Sequence, residues 1–382
     1  MTNTMSVAKK GSKQRSVSAQ SPAPVGVREL AKLANVSVGT VDRALNNRPG
    51  IKTKTRELVL KIAEQHGYSP NLSARALSFG KSSLRIGLCI PREIHYFYDQ
   101  LYAGFVDEAE RHQHIGLKTL YRPVKTLRSR MASAVRELLT DKVDAIVMTP
   151  GMARQLAPLI TEAEEKHNVR VVCVASDDSQ GARSSVVCVD PVVNGAVAAE
   201  LMAKMTPAGA KVAVLTGIFD TEDHWAKVQS FCRQFPLDCT GGKIVATIQG
   251  FEDEVTVYEK TVKLLQKHRD LAGIYISTVN CLPVCTAVEA ARLGGKLCII
   301  STDVFPEVIP FFQRNTLSAA IYQNPFRQGQ VAVQLIVDHF VTGRPFPASF
   351  HLNPVIALRS NLAQFRELRS VMAAGKLTTE SF

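Results

Sequence analysis

The spacing of apolar residues near the beginning of the chain predicts two short helices joined by a tight turn. Residues 27–34 place their apolar side chains at the i, i+3, i+4, i+7 spacing of one helix face. Asn35 tolerates the left-handed conformation that ends a helix, and Ser37 offers a hydroxyl that can cap the next one. That second helix spans residues 38–45, and the sequence NNRPG at 46–50 cannot continue it. The pair forms either a helix-turn-helix unit or an ordinary helical hairpin.

A third helix is predicted directly after this pair. We expect Thr53 to cap it and Gly67 to end it. The side chains expected to face inward are either Val38 or Val41 with Ala44 and Leu45 in the second helix, and Leu58, Ile62 and Ala63 in the third. Three such helices can bury a small core and present the second helix to the major groove of DNA.

Beyond residue 83 the pattern changes to apolar runs that alternate with helix-like segments. The apolar runs predict buried strands at 84–90, 116–121, 144–150, 169–175, 211–217, 243–248, 273–277, 296–302 and 317–323. The segments between them predict helices around 102–109 and at 127–140, 152–167, 192–205, 224–235, 254–269, 282–293 and 326–341. This alternation indicates an α/β body of doubly wound parallel sheets. Because the units are too many for one sheet, we expect two lobes, with a ligand cleft beyond the carboxyl ends of the strands.

The positive charge of the chain is concentrated at its beginning. Residues 1–82 carry 14 Lys and Arg against 4 Asp and Glu, whereas the whole chain has a net charge of +12. The predicted DNA-binding end therefore holds nearly all of the excess charge that would attract a polyanion. Residues 1–24 are rich in Ser, Lys and Gln. We expect them to form a disordered basic arm, which either adds unspecific attraction to DNA or is inert.

The sequence shows neither the apolar core of a signal peptide nor an apolar stretch of membrane-spanning length. We therefore expect a cytoplasmic protein with no membrane partner. The eight cysteines are scattered, and several lie in the strand-like apolar runs. Cys281 and Cys285 are close in sequence but have no second close pair, so buried free thiols are expected rather than a zinc site. No metal or cofactor is predicted.

The sequence VRELAKLANVSVGTVDRALN, followed by HGYSPN and SARAL, resembles the headpiece of the lactose-repressor (LacI/GalR) family of bacterial transcription regulators. The resemblance runs without a gap from Val27 to Leu77. It implies that residues 70–82 form a hinge helix and linker, and that Leu77 wedges between base steps in the minor groove. The alternative for Leu77 is burial against the neighbouring domain.

The start of the second helix is the surface expected to read DNA. Arg43 can donate two hydrogen bonds to a guanine edge, and Val38 can meet a thymine methyl group. Gly39 is consistent with a close approach to DNA, whereas the role of Asp42 stays open because its charge is repelled by phosphates. The predicted DNA-binding residues are Ser37, Val38, Gly39, Thr40, Asp42, Arg43, Arg75 and Leu77.

Polar and aromatic side chains follow many of the predicted strands of the body. Carboxylates and amides can hold hydroxyl groups, while aromatic rings can cover the C–H face of a sugar. The predicted ligand-binding residues are Phe97, Tyr98, Asp99, Asp177, His224, Trp225, Asn280, Asp303 and Gln323. Each has a structural alternative, because aspartates and asparagines at strand ends also cap helices and aromatic pairs also fill cores.

The body, from Leu84 to Asn361, also resembles the effector domain of the periplasmic sugar-binding-protein type that occurs in the same family. That resemblance places ligand-hydroxyl contacts on four of the residues just named: Asp177, Asn280, Asp303 and Gln323. The sequence departs from the sugar binders at 224–225, where His-Trp stands in place of an arginine. This departure makes a simple pentose or hexose a weaker candidate than another polyol or a ligand with an apolar face.

These observations together predict five segments. They are a disordered arm at 1–24, a helix-turn-helix headpiece at 25–69, a hinge at 70–82, an effector-binding and dimerisation domain at 83–362, and a tail at 363–382. The expected function is a homodimeric repressor whose affinity for operator DNA is controlled by a sugar or polyol effector. Two alternatives stay open: a transport-type solute-binding protein, and a regulator whose body only dimerises. Catalysis is not expected, since the sequence lacks GxGxxG, GxxxxGK[ST] and GxSxG motifs.

Overall fold

A computed structural model of the chain describes residues 26–45, 49–66, 83–129, 131–151 and 153–365. The chain divides into two compact units, residues 1–72 and residues 73–382. The predicted arm, Arg75 and Leu77 of the predicted hinge, and the tail after Phe365 lie outside the described residues. Among the described residues, no helix is both long and apolar enough to cross a membrane.

The first unit contains three helices around a small apolar core. They are α1 (Val27–Leu33), α2 (Val38–Leu45) and α3 (Thr53–Gln65). Asn35 adopts the predicted left-handed conformation with φ of 50°, and the Ser37 hydroxyl accepts a hydrogen bond from the Thr40 N–H group at 3.2 Å. The helix-turn-helix geometry therefore follows from the residues that predicted it. The core is formed by Leu30, Ala31, Ala34, Val41, Ala44, Val59 and Ala63.

The structure decides one open point of this unit and differs from the sequence expectation at two others. Of the two valines that the sequence left open in α2, Val41 is the one that faces inward. In α3 the prediction that Leu58 faces inward is wrong, since Leu58 is exposed and its neighbour Val59 is fully buried. Thr53 is the first residue of the helix, and Lys52 occupies the N-cap position without a side-chain cap. Local periodicity thus identified the helix and correctly placed Ala63 and Ile62 on its inward face, whereas Leu58 was assigned to the wrong face.

The second unit is built from strands and helices that alternate along the chain. The strands are β1 (Arg85–Cys89), β2 (Lys118–Tyr121), β3 (Ala145–Met148), β4 (Arg170–Val174), β5 (Ser185–Val189), β6 (Lys211–Thr216), β7 (Lys243–Gln249), β8 (Leu271–Ile276), β9 (Cys298–Thr302), β10 (Ala319–Tyr322), β11 (Phe350–Leu352) and β12 (Val355–Ala357). The helices are α4 (His95–Arg111), α5 (Met131–Thr140), α6 (Ala153–Glu165), α7 (Pro191–Met205), α8 (Glu222–Asp238), α9 (Glu254–Lys267), α10 (Leu282–Ala290), α11 (Ile309–Gln313) and α12 (Pro325–Val337).

The strands form two sheets, which confirms the predicted two lobes. The first sheet has the order β11-β5-β4-β3-β1-β2, and the second has the order β12-β10-β9-β8-β6-β7. Pairing is parallel except for the antiparallel pair of β10 and β12. Strands β5, β11 and β12 are absent from the sequence prediction. The two terminal ones have only three residues each, which is too short for periodicity to reveal.

The chain passes between the lobes more than once. After β5 it enters α7, which packs Ala198, Ala199 and Met202 into the core of the second lobe. After β10 it returns in α12, which packs closely on α4 of the first lobe. The short segment between β11 and β12 crosses again, because these strands belong to different sheets. Seven of the eight cysteines are buried and Cys232 is half-buried, in agreement with their apolar sequence context.

Candidate functional site

The topology of each sheet creates a crevice at the same place. In both sheets the strand order reverses beside the first strand of the lobe, between β1 and β3 and between β6 and β8. Helices that follow such neighbouring strands diverge, and ligands of open α/β sheets bind in the gap beyond the carboxyl ends. The crevices of the two lobes therefore supply two halves of one cleft.

A cavity lies in this cleft, and the space between its atoms amounts to about 430 Å³ when the part open to solvent is included. It is lined by Ile94, Phe97, Tyr98, Leu127, Thr149, Ala175, Ser176, Thr221, Asp223, His224, Lys227, Glu252, Ser277, Thr278, Val279 and Gln323. Both lobes and the segment that joins β10 to α12 contribute to this lining. Aromatic rings, hydroxyl groups and charged groups are combined, as expected for a small polar ligand with an apolar face.

The two lobes contact each other around the cavity. The Thr221 hydroxyl at the start of α8 donates to the carbonyl oxygen of Gly151, which follows β3, at 2.8 Å. The Ser179 hydroxyl donates to the Glu222 carboxylate at 2.8 Å. The rings of Tyr96 and Phe305 stack with centroids 4.2 Å apart. Each of these contacts joins residues of different lobes, so the cleft is closed in this structure.

A buried ion pair forms one wall of the cavity. The Lys227 ammonium donates to the Asp223 carboxylate at 2.9 Å, one turn apart on α8. Burial alone would raise the pKa of Asp223, but the charge of Lys227 and hydrogen bonds from Lys227 and Ser176 outweigh burial and hold that pKa below its usual range. Both charges are therefore retained inside the cleft, and each neutralises the other.

His224 is fixed in one orientation beside this ion pair. Its Nδ1 atom accepts a hydrogen bond from the Ile218 N–H group at 3.0 Å. We assign the ring proton to Nε2 for this reason, since an N–H group cannot donate to a protonated nitrogen. The Nε2 atom lies 3.9 Å from Glu252 Oε1, which is too long for a hydrogen bond. His224 is thus a neutral ring that faces a carboxylate.

Glu252 reaches the cavity from the loop after β7. Phe251 and Glu252 adopt φ values of 60° and 58°, which is unusual for two successive residues with side chains. Gly217 makes room for the carboxylate, because a Cβ atom at this glycine would lie 1.8 Å from Glu252 Oε1. Burial raises the pKa of Glu252, and the charge of Asp223 adds to the effect. The backbone is therefore held in a strained conformation that directs a carboxylate into the cleft.

Four of the predicted ligand-binding residues line the cavity. They are Phe97, Tyr98, His224 and Gln323. The two aromatic residues belong to the first turn of α4 rather than to a loop, and their rings pack edge to face with centroids 5.2 Å apart. Gln323 lies at the passage between the lobes, directly after β10. The strand-end criterion thus brought together residues from both lobes.

The other five predicted residues do not line this cavity. Asp99 is exposed on α4, and Asn280 lies at an outer opening beside Tyr96 and Glu254. Trp225 is 49% exposed and packs edge to face on Phe219.

The two remaining aspartates are occupied by protein groups instead of facing the cavity. The Asp177 carboxylate accepts two hydrogen bonds from the Arg183 guanidinium at 2.5 Å each. Asp303 is buried and accepts from the backbone N–H and side-chain amide groups of Gln323 at 2.7 Å each. Both aspartates therefore make structural contacts, and these are an ion pair with Arg183 and hydrogen bonds from Gln323 rather than the helix caps expected as the alternative.

The sequence reasoning missed several residues of the site. Lys227 had a local signal, because a lysine four residues after Asp223 lies on the same face of a helix as that aspartate. Glu252, Thr149 and Thr278 follow strands and would have met the same strand-end criterion. Within the described ranges, no group of three or more His, Cys, Asp or Glu side chains is arranged to hold a metal ion.

The candidate DNA-reading surface lies on α2 of the first unit. Ser37, Val38, Gly39 and Arg43 are exposed, and Thr40 and Asp42 are half-buried. The Ser37 and Thr40 hydroxyls contact each other at 2.9 Å. A Cβ atom at Gly39 would meet only Ser37 Oγ, at 3.9 Å, so no group of the described protein requires glycine there. The predicted residues that fall within the structure therefore extend from Ser37, before α2, to Arg43 in its last turn, and each is at least partly exposed.

Comparison with known proteins gives matches to both units. The model of the bacterial regulatory proteins of the lacI family matches residues 27–71. The model of the periplasmic binding protein domain matches residues 86–344. The two matched segments correspond to the helix-turn-helix unit and to the two-lobed body.

Individual relatives show the same division. The HTH-type transcriptional regulator DegA of Bacillus subtilis is 26% identical over 276 residues, which cover 70% of this chain and 77% of DegA. The ribose import binding protein RbsB of Bacillus subtilis is 26% identical over 275 residues, covering 70% of this chain and 86% of RbsB. A solute binding protein from Burkholderia graminis, solved in complex with D-arabinose, has a TM-score of 0.69 at 19% identity and covers 75% of this chain and 99% of its own.

Proposed function

The chain belongs to the lacI family of bacterial regulatory proteins, with a periplasmic binding protein domain as its body, and we propose that a small hydroxylated ligand in the interlobe cavity controls its binding to operator DNA. The observation that carries this proposal is the cavity between two lobes that contact each other, in a chain that also carries a helix-turn-helix unit. The family is regulatory, and catalysis has no part in the proposal.

The headpiece would read sequence through the exposed start of α2. The Arg43 guanidinium can donate two hydrogen bonds to a guanine, which distinguishes base pairs by about 1–3 kcal/mol. Val38, which is not needed for the core, leaves an apolar side chain free to meet a thymine methyl group. The Ser37 and Thr40 hydroxyls are suited to phosphate contacts, which position the helix without specifying sequence. We propose that Arg75 and Leu77, in the predicted hinge, add further contacts to DNA.

Ligand control would act through the closure of the cleft. Groups from both lobes line the cavity, so a ligand that contacts both stabilises the closed arrangement over an open one. The ligand can shift this equilibrium only by its differential affinity for the two states. We further propose a homodimer, because two copies would place two helix-turn-helix units on a palindromic operator.

Hydroxyl recognition is supported by the composition of the cavity. Phe97 and Tyr98 supply ring surfaces, while Thr149, Ser277 and Gln323 supply neutral polar groups. Sugars and polyols combine an apolar C–H face with hydroxyls and match such a lining. The D-arabinose complex of the structural relative agrees with this class of ligand.

The transport-type alternative is less well supported. The RbsB-like similarity concerns the body, whereas residues 27–71 match the lacI-family model. A body that only dimerises would not need the buried charges that surround the cavity, since burying charges is costly. Both alternatives predict that no small molecule changes the affinity for DNA.

The test uses the full-length chain and double-stranded DNA selected from a random pool. Thermal unfolding against sugars and polyols identifies a ligand, because a ligand at 100 times its dissociation constant stabilises the folded body by about 2.7 kcal/mol. Fluorescence anisotropy with the selected DNA then measures affinity at a fixed salt concentration. Arg43→Ala should weaken specific DNA binding and leave the ligand-induced stabilisation intact. Loss of both properties would show that the substitution disrupts the fold instead.

A further inference from the structure

The Glu252 carboxylate is the charged group of the cavity that the protein does not neutralise. Its side chain is only 4% exposed, and it lies in the cavity lining with Thr278 and His224. Within the described part of the chain, neither carboxylate oxygen accepts a hydrogen bond of normal geometry. The Thr278 hydroxyl lies close enough to lower the pKa of this carboxyl group without completing such a bond. A buried carboxylate of this kind is costly unless something pairs with it.

The cationic groups nearest to this carboxylate are already engaged. The Lys227 ammonium is paired with Asp223 at 2.9 Å. His224 is held as a neutral ring by the Ile218 N–H group, which donates to Nδ1. An ionised Glu252 therefore leaves one uncompensated negative charge in the cavity.

The backbone around this carboxylate adopts an unfavourable conformation that places the carboxylate in the cavity. Phe251 and Glu252 both occupy the left-handed region, where residues with side chains are uncommon. Gly217 leaves the space that the carboxylate fills. The buried Thr149 hydroxyl, on the opposite lobe, also completes no hydrogen bond of normal geometry within the described residues, although it lies close enough to Tyr98 to lower the pKa of that phenol. Two unpartnered polar groups that line one cavity point to a ligand that pairs with both.

We propose that the effector carries a positively charged amino group that binds to Glu252, in addition to hydroxyl groups. This inference rests on the proposed function, because it assigns the ligand of the same interlobe cavity. An ammonium group donates three hydrogen bonds and can reach the Glu252 carboxylate and a neighbouring hydroxyl together. The chemical class is an amino sugar or an aminocyclitol.

The test compares matched ligands on the full-length protein. The probes are D-glucosamine, D-galactosamine and D-mannosamine, each with its neutral parent sugar and its N-acetyl derivative, and myo-inositol with an amino-inositol. Thermal unfolding and titration calorimetry measure binding. We expect at least one amine to bind about 10- to 100-fold more tightly than its parent and N-acetyl derivative, because a charge-assisted hydrogen bond is lost in both.

The variant E252Q removes the charge of the carboxylate. The glutamine side chain has nearly the same size, and its amide can still form hydrogen bonds. It should remove the preference for the amine and should raise the melting temperature of the unliganded protein at neutral pH. E259Q is the matched control. Glu259 is exposed on α9 and lies outside the cavity lining, so the substitution removes the same charge away from the cavity. The control should retain both the amine preference and the melting temperature.

Two results would overturn the inference in distinguishable ways. If neutral sugars bind as tightly as the amines and E252Q leaves them unaffected, the ligand is uncharged and the proposed function stands without this inference. If neither amines nor neutral compounds bind, the inference fails together with the sugar or polyol ligand of the proposed function. A lower melting temperature of unliganded E252Q would contradict the claim that the carboxylate is uncompensated.

Discussion

The Asp303 carboxylate accepts hydrogen bonds from both the backbone N–H and the side-chain amide of Gln323, each at 2.7 Å. Gln323 is the residue at which the chain leaves β10 to return to the first lobe, and its amide also belongs to the cavity lining. Its carbonyl oxygen accepts from Gln328, whose side chain in turn accepts from the Ala175 N–H group. The Asp303 carboxylate thus holds Gln323 in place, and Gln323 both lines the cavity and begins the segment that connects the two lobes.

Asp303→Ala should reduce the stability of the body and weaken ligand binding together. The substitution leaves the backbone N–H and amide donors of Gln323 without an acceptor, and each buried unsatisfied group costs about 1–3 kcal/mol. Urea unfolding should show a lower free energy of unfolding by about 2 kcal/mol or more. Asp99→Ala, which removes an exposed carboxylate on α4, should change it by less than about 0.5 kcal/mol. Equal midpoints for the two variants would refute the role assigned to Asp303.

Lys227→Met should destabilise the body strongly. The Asp223 carboxylate would remain buried without its partner, and breaking one half of a buried ion pair costs about 3–5 kcal/mol. Chemical denaturation of the variant measures this loss. Combining it with Asp223→Leu should restore much of the stability, because neither charge is then buried alone. An additive loss in the double variant would show that the two residues act independently.

Asp178 should make the stability of the body depend on pH. Burial raises its pKa from 3.8 to about 6, against the opposing effect of the N–H groups of Gln180 and Gly181. The folded state therefore holds this proton more tightly than the unfolded state. Its contribution favours folding at low pH, declines as pH rises between about 4 and 6, and is fully lost above that range.

Asp178→Asn should therefore raise the melting temperature by a few degrees at pH 7. The same variant should match the wild type near pH 3, where the carboxyl group is mostly protonated in both states. Differential scanning calorimetry at the two pH values provides the comparison. A gain that is equal at both pH values would mean that it does not come from the titration of Asp178.

Gly104→Ala should disrupt the packing of α4 on α12. A Cβ atom at Gly104 would lie 1.8 Å from the carbonyl oxygen of Phe326, so the two backbones must separate. Overpacking of this kind costs about 1–3 kcal/mol, and thermal unfolding should show it. Gly294→Ala is the milder control, since its Cβ would meet the Thr316 hydroxyl at 3.2 Å. Similar losses in both variants would argue against close helix packing as the cause.

The sequence predicted those parts of the fold that depend on local patterns. The helix-turn-helix could be identified because its helix end at Asn35 and its cap at Ser37 depend on neighbouring residues alone. The alternation of strands and helices identified two lobes for the same reason. Strands β11 and β12 were not predicted because they are short and are defined by pairing with β5 and β10, respectively. These partner strands lie far away in sequence, so no local pattern indicates the pairing.

The site could be predicted only in part. A residue after a strand was found by position, as Phe97, His224 and Gln323 show, but position does not reveal what the side chain contacts. Asp177 is paired with Arg183, which no periodicity indicates. Glu252 follows β7 and meets the strand-end criterion, but its side chain reaches the cavity through a left-handed turn at residues that are neither glycine nor asparagine. The sequence therefore does not reveal its orientation.

The most direct test of the account is the affinity of the full-length chain for its selected DNA, measured by fluorescence anisotropy with and without a ligand that raises the melting temperature. Coupling between the two sites should change that affinity by about 5- to 150-fold. E252Q should remove the effect of an amine ligand on this affinity. An affinity that stays the same at saturating ligand would contradict the claim that the cavity controls the headpiece.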